Sequence, residues 1–519
     1  MAFDSPTVPL LALVLGAVLY ALRPRRVRSR LPLPPGPKKL PLLGNILDIP
    51  ATHPWEKYMA WSKELDTDIL HVDLAGSSLI VLSSLKATED LMEKRSAMYS
   101  DRARIPMLCE MMGWDFNIAM MRYGDSWRAH RRLFNEGFTA KVSEKYRPKQ
   151  LAATHGLLRR LLQTPDDFLG HFNQWAAEVI MSVAYGIEVK PKDDPYVLLA
   201  HKALRTFSAA GVPGKYLVDS LPWLKHLPAW LPGAGFKRQA REWRKLSQAM
   251  RDVPFAETKR QVELGTAPSS LAADSLRALR ALRENGNGEL YYTEDTLRAT
   301  AGTMFIGGSD TTVCAVQFFV LAMLANPEAQ RRAQAEIDRV TGGRYLPDFA
   351  DEAALPYVAA LVKEVLRWRN VTPFAFPHYV TVEDEYRGYR IPAGSVIMGN
   401  TWAILHDEVT YPDPYAFKPE RWLLDGKLNP AVPNPDSAFG FGRRLCPGRH
   451  TATASLWIAV ASILAAFDIT KARDACGAEI EPTYKSQSGI IDMPFPFECR
   501  ITPRSAGAAA LVRATADQA

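Results

Sequence analysis

One passage, MFIGGSDTTVCAVQFF at residues 304–319, constrains this chain more than any other. It lies inside a stretch, 293–325, that otherwise reads as one apolar helix. Gly307 and Gly308 stand side by side in the helix interior, each costing about 1 kcal/mol relative to alanine. Four polar residues, Ser309 to Thr312, then interrupt the apolar run. Hydroxyls in such a place can bond the carbonyl one turn back, which would make the passage purely structural. A buried Asp310 strains that account, because an unpaired carboxylate away from water is costly. The competing reading is a bent helix whose glycines let something flat approach the backbone, with Asp310 and Thr311 relaying protons beside it.

Around this stretch, the pattern predicts further helices over 127–140, 145–163, 168–187, 236–263, 327–341, 355–369 and 449–466. TDILHVDLAGSSLIVLSS (67–84) alternates, is rich in β-branched residues and holds a Gly-Ser turn, so it predicts a hairpin. A second hairpin-like segment spans 378–400. No internal repeat or linker follows residue 50, so the 519 residues predict one large, mostly helical body with a small strand region. Cys109, Cys314, Cys446, Cys476 and Cys499 are odd in number and widely spaced, with no C-x-x-C pair. That argues against a disulfide framework and a paired-cysteine zinc site, and for reducing surroundings.

The first residues differ from the rest. TVPLLALVLGAVLYAL (7–22) is continuously apolar and is followed at once by RPRRVRSR. As a helix it spans about 24 Å, slightly short of a hydrocarbon core, and Tyr20 and the arginines extend it to the interface. A cleavable leader would carry its positive charge before the apolar run, whereas this chain starts MAFD. Residues 1–30 therefore predict a membrane signal-anchor with a basic stop-transfer on the cytosolic side, which would leave the Asn370 sequon unmodified. The five prolines of LPLPPGPKKLPLLGN (31–45) make a stiff hinge, and residues 506–519 are expected as a flexible tail. Arg23, Arg25, Arg26, Arg28, Arg30, Lys38 and Lys39 hold most of the net charge of +7, so a nucleic-acid-binding face is excluded. The proline-broken, Leu- and Trp-rich stretch 216–236 is either a second surface dipping into the membrane or an ordinary covering loop.

Three further constellations carry chemistry. KEVLRW sets Glu364 and Arg367 on one helix face, and such pairs are usually weak surface bridges. SWRAHRRLF sets Trp127 and Arg131 one turn apart, suited to a carboxylate or phosphate, although an amphipathic surface helix explains it as well. FGFGRRLCPGRH (439–450) surrounds Cys446 with glycines and arginines. That cysteine could be a redox switch, half of a disulfide, a core residue or a metal ligand. Its position before the apolar helix 449–466 favours thiolate, and a lone thiolate beside arginines fits a metal held mainly by a carboxylate-bearing macrocycle.

Together these passages resemble the cytochrome P450 heme-thiolate monooxygenases. Phe439, Gly442, Arg444, Cys446 and Gly448 match the family's cysteine signature in full, and Gly307 to Thr312 match its oxygen-activation motif. Glu364 and Arg367 match its E-x-x-R, Arg421 in FKPERW its third structural cluster member, and Trp127 and Arg131 its W-x-x-x-R. His378 falls where relatives bind a heme propionate, the anchor and LPPGP hinge look like the microsomal branch, and the wording of the loops resembles its filamentous-fungal members. The resemblance implies a mostly α fold with a small β-rich region, preceded by one transmembrane helix, with the catalytic domain at 46–505. It implies heme b (iron protoporphyrin IX) on the Cys446 thiolate, propionates held by Trp127, Arg131, His378 and Arg444, and proton delivery by Asp310 and Thr311. It further implies NADPH-cytochrome P450 reductase as electron donor, with Arg443, Arg449, Arg131 and Arg132 as its docking face, on the cytosolic side of the endoplasmic reticulum. The pocket-lining stretches 105–125, 371–377 (with Phe374 and Phe376) and 489–497 are rich in Met and Phe. They predict a lipophilic substrate, whether terpenoid, steroid-like, polyaromatic or indolic, oxidised with O2 in secondary metabolism or xenobiotic oxidation. A peroxide-rearranging isomerase or a non-catalytic heme sensor is the alternative, although the former often lacks the acid–Thr pair.

Overall fold

The structure, a computed structural model, describes residues 31–211, 215–285 and 290–518. The signal-anchor expected over 1–30 lies outside the described residues. Thirteen helices form most of the body: α1 (Pro54–Glu64), α2 (Asp125–Phe138), α3 (Arg147–Gln163), α4 (Phe168–Ala184), α5 (Pro195–Ala210), α6 (Gly235–Glu263), α7 (Leu271–Asn285), α8 (Glu294–Gly308), α9 (Asp310–Ala325), α10 (Pro327–Thr341), α11 (Pro356–Trp368), α12 (Arg449–Ala466) and α13 (Ala506–Ala514). Proline opens α1, α5, α10 and α11, where its missing N–H costs nothing and its fixed φ suits the first turn. Asp194 and Thr293 cap α5 and α8, and Gly342 in the left-handed region ends α10.

The strands are β1 (Ile69–Leu74), β2 (Ser77–Leu82), β3 (His378–Tyr379), β4 (Asp384–Tyr386), β5 (Tyr389–Ile391), β6 (Val396–Gly399), the short pair β7 (Leu423–Leu424) and β8 (Lys427–Leu428), β9 (Phe467–Lys471) and β10 (Cys499–Pro503). Only the first hairpin is simple. β1 and β2 pair in antiparallel register, Ile69 opposite Leu82, around a turn at Ala75 and Gly76. The segment 378–400 instead sends β3 and β6 into the same sheet, in the order β1-β2-β6-β3, with the small β4–β5 hairpin between them. That arrangement sets His378 opposite Ile397.

The centre of the molecule is α9. Every residue from Val313 to Leu324 is buried, so the helix is apolar on all sides and the others wrap it. It packs against α4, α10, α11 and α12 in the largest apolar cluster. The stretch Glu294–Ala325 is long and apolar enough to cross a membrane, but burial inside this fold accounts for its composition. The proline hinge lies along the sheet, with the Pro35 carbonyl accepting from His71 N–H at 2.8 Å and the Pro32 carbonyl from Arg390 N–H at 2.8 Å. The C-terminal segment expected as a flexible tail is instead helical. Ser505 caps α13, whose Ala509 and Val512 are buried, so an alanine-rich end with two apolar residues on one face docks rather than frays. In 216–236, Leu217, Trp223 and Trp230 are exposed, Trp230 at 77%.

Candidate functional site

Cys446 ends the loop that feeds α12. Its N–H donates to the Phe439 carbonyl at 2.9 Å, closing the loop on itself. Gly442 makes this path possible: its φ is 56°, and a Cβ there would stand 2.0 Å from the Met92 carbonyl oxygen. Burial pushes the Cys446 thiol up, against the N–H groups of Gly448 and Arg449 and the charges of Arg131 and Arg449. Desolvation thus outweighs the helix N-terminus that was expected to favour thiolate, a balance that a metal cation on the sulfur would reverse. All five cysteines are free. Cys314 and Cys499 belong to the apolar core, Cys109 packs against the apolar cluster below, and Cys476 is exposed, so Cys446 alone faces arginines at a helix start.

The sequence-predicted cations gather beside it. Arg444 lies over Trp127, its Cζ 4.5 Å from the ring centroid, and donates to the carbonyls of Ser100, Ile118 and Met121 at 2.8, 3.0 and 2.8 Å. His378 is buried in β3 with Nδ1 on the Tyr99 carbonyl at 2.7 Å, so Nδ1 carries the proton. A residue the motifs did not reveal joins them. Arg102, buried, donates to the carbonyls of Ala119, Phe376 and Pro377 at 2.6–2.8 Å. Burial lowers Arg131 and Arg444 to about 10 and Arg102 well below the usual guanidinium range, and His378 is held neutral by burial and the charges of Arg102 and Arg444. Among the described residues, no carboxylate pairs with Arg102, Arg131 or Arg444. Asp101, the acid that faces Arg102 and Arg444, gives its oxygens to Arg122 at 2.6 Å and to the N–H groups of Arg102 and Tyr123.

The helical passage 304–319 is bent, and its hydroxyls also bond the carbonyls one turn back. The helix breaks at Ser309, with φ −77° and ψ −85°. The hydroxyls of Ser309 and Thr311 still bond back to Phe305 and Gly307, at 2.7 and 2.6 Å. Gly308 faces Ile180, where a Cβ would meet the side chain at 2.7 Å, but beside Gly307 nothing lies within 4 Å. Asp310 has no side-chain hydrogen bond or ion pair among the described residues; burial pushes its pKa up, with His201 opposing.

Glu364 and Arg367 are not a surface bridge: both side chains are 0% exposed. Arg367 grips Glu364 with two bonds of 2.7 and 2.8 Å, and Arg421 adds bonds of 3.1 and 3.2 Å. Lys418 N–H and the Trp422 indole complete the carboxylate's shell, while Arg367 ties down the carbonyls of Leu405, Pro414 and Ala416.

The expected pocket-lining stretches separate. Met107, Met112, Trp114 and Phe116 join Phe207, Met304 and Phe305 in one apolar cluster. Phe374 does not; it packs on Trp55 and Tyr58 at 5.6 and 5.5 Å. The four arginines expected on a docking face also divide. Arg443 and Arg132 are exposed, Arg443 bonded to the Tyr123 hydroxyl and Arg132 to Glu136, whereas Arg131 and Arg449 are half buried by Cys446.

A planar dianion with a central iron fits these residues. Three guanidinium groups lack a carboxylate, Gly307 leaves open space above a helix, and a single thiol faces N–H donors and cations. Heme supplies both the carboxylates and the metal. The comparisons with known proteins agree. The cytochrome P450 family model matches residues 34–490. The chain is similar to cytochrome P450 monooxygenase 98 of Postia placenta, 47% identical over 97% of this chain and 96% of the relative. It is 41% identical to the tryptamine 4-monooxygenase of Psilocybe cyanescens, over 96% of this chain and 98% of the relative, and 43% identical to cytochrome P450 monooxygenase ple1 of Rhodocybe pseudopiperita, over 93% and 91%.

Proposed function

The chain belongs to the cytochrome P450 family and is a heme-thiolate monooxygenase, and from that premise we propose that Cys446 is its axial ligand and a lipophilic small molecule its substrate. The observation that carries this reading is the set of cations, Arg102 buried and Arg131 and Arg444 half buried, without carboxylates near one thiol. Bound heme supplies the activation of O2. Trp127, Arg131, Arg444 and also Arg102 hold its propionates through charge-assisted hydrogen bonds, and His378, whose Nδ1–H is committed to Tyr99, joins them once a propionate's negative charge brings a proton to its Nε2. Phe439, Gly442 and Gly448 shape the loop that presents the sulfur. Burial raises the pKa of Asp310 and so favours its protonated form, from which the Thr311 hydroxyl passes protons at the break in the helix.

The apolar cluster of methionines and aromatics supports a lipophilic substrate of the terpenoid, steroid-like, polyaromatic or indolic class. Indoles have the added support of a relative that acts on tryptamine. Electrons come from NADPH through a membrane-bound reductase, which Arg443 and Arg132 suit as exposed cations. The run 7–22, its basic flank and the exposed Leu217, Trp223 and Trp230 support a single-pass protein of the endoplasmic reticulum with 216–236 as a second membrane contact. The biology that fits is secondary metabolism or xenobiotic oxidation.

Enzyme reconstituted with reductase and NADPH, incubated with a terpenoid, polyaromatic and indolic panel, should give products one oxygen heavier by mass spectrometry. Thr311→Ala should keep consuming NADPH while product falls roughly tenfold to a hundredfold. Product formed without NADPH would favour a peroxide-rearranging isomerase.

A further inference from the structure

Away from the cysteine loop, a second group of buried polar atoms lacks partners. Two cavities, of about 300 and 150 Å³, share Glu56, Arg369 and Trp402 in their walls. Arg369 follows α11 directly and makes no side-chain hydrogen bond or ion pair with any described residue. It lies on the rings of Trp368 and Trp402, its Cζ 5.2 and 5.6 Å from their centroids. Stacking occupies the faces of a guanidinium and leaves its in-plane N–H edge for a forked acceptor. Trp402, 4% exposed, and Trp55, 1% exposed, have indole N–H groups without an acceptor. Asp492 also lines the smaller cavity; its side chain is 2% exposed and its Oδ1 accepts no hydrogen bond. His53 Nε2 stands 3.8 Å from that oxygen, too far for one.

Buried polar groups are nearly always satisfied, so two buried indole donors and one buried carboxylate oxygen without protein partners, beside the half-buried edge of Arg369, point to a polar ligand. We propose that this pocket binds a small organic carboxylate that also carries a hydroxyl or amino donor. The carboxylate lies on the Arg369 edge and the Trp402 N–H, and the ligand's donor reaches Asp492 Oδ1. Trp368 and Tyr415 wall the larger cavity and take a flat apolar body. Arg369 and Lys485 offset Glu56 and Asp492, so the walls do not repel an anion. The combined volume is far above the roughly 30 Å³ of one water and reaches the range of small-ligand clefts. None of these residues holds the heme, although Asp492 lies in the 489–497 stretch, so the Soret band is what separates this pocket from the substrate site.

The test is a calorimetric titration of the holoenzyme with 4-hydroxybenzoate while the Soret band is followed. Saturable binding with an unmoved Soret band is expected, weakened at least tenfold in Arg369→Gln and in Trp402→Phe. Asp492→Asn should weaken 4-hydroxybenzoate relative to benzoate, which lacks the donor; this holds even if Arg369→Gln fails to fold. Absence of binding, binding indifferent to these substitutions, or a Soret shift that puts the ligand in the heme site would each overturn the proposal.

Discussion

Two of the charge groups among the described residues, at Glu364 and at Cys446, are solved in opposite ways. Around Glu364 the polar groups find partners: Arg367 and Arg421 fork its oxygens, Trp422 and the Lys418 N–H add further donors, and the arginines' other N–H groups end on carbonyls. Around Cys446 the cations are left over. Arg102 and Arg444 have carbonyls only, and Arg131 has no hydrogen bond among the described residues. A closed network fixes a fold, because nothing further can bind it without breaking a bond. An open one lowers the stability of the empty protein and returns that energy when the right partner arrives. Function is therefore legible in the charges a structure fails to pair.

The largest test removes the one group that makes the open region reactive. Cys446→Ala should abolish NADPH-driven turnover and the heme-thiolate spectrum while leaving far-ultraviolet circular dichroism unchanged. Surviving turnover would break the distinction at its root. Next comes the closed region. Arg367→Leu removes two of the bonds to a fully buried carboxylate and unties the carbonyls of Leu405, Pro414 and Ala416, and should cost about 3–5 kcal/mol in denaturant unfolding of the apoprotein, before heme enters. A loss below about 1 kcal/mol would mean that Glu364 relaxes to water, and that the network is less closed than its geometry.

The opposite sign is expected of Arg131→Gln. It deletes a desolvated, unpaired cation, so the apoprotein should be as stable as before or more so. Heme affinity should nonetheless fall roughly tenfold to a hundredfold, the value of one charge-assisted hydrogen bond. Apoprotein melting temperature and heme transfer to an apo-acceptor, measured on the same variant, read the two halves separately.

The sequence disclosed these charges unevenly. Cys446, Arg444, Trp127, Arg131 and the Glu364 cluster lie in short passages whose spacing already implies a shared job, and most long helices were visible from their periodicity. Arg102 was not visible, because its role comes from carbonyls of Ala119, Phe376 and Pro377, drawn from two distant segments that only the fold unites. The helices Pro54–Glu64 and Pro195–Ala210 were missed although each opens with a proline, a signal that periodicity alone does not weigh. Phe374 looked like pocket lining because aromatic residues near a motif invite that reading; its backbone turns it toward Trp55 and Tyr58 instead. Local pattern predicts what a residue can do, and packing decides which way it faces.

Asp310 extends the comparison to an anion and gives the smallest effect. Like Arg131 it is unpaired among the described residues, and burial raises its pKa while His201 opposes. A carboxyl whose folded pKa lies above its unfolded value favours folding only while protonated. That contribution is complete below the ordinary carboxylate pKa and is lost as pH rises through the raised value. Asp310→Asn stays neutral throughout, so the variant and the parent should be equally stable in acid, and the variant should become the more stable as pH climbs to neutrality. Chemical denaturation across that range measures the gap. A gap of the opposite sign would reveal a hidden partner for the carboxylate, and would move Asp310 from the open class of charges to the closed one.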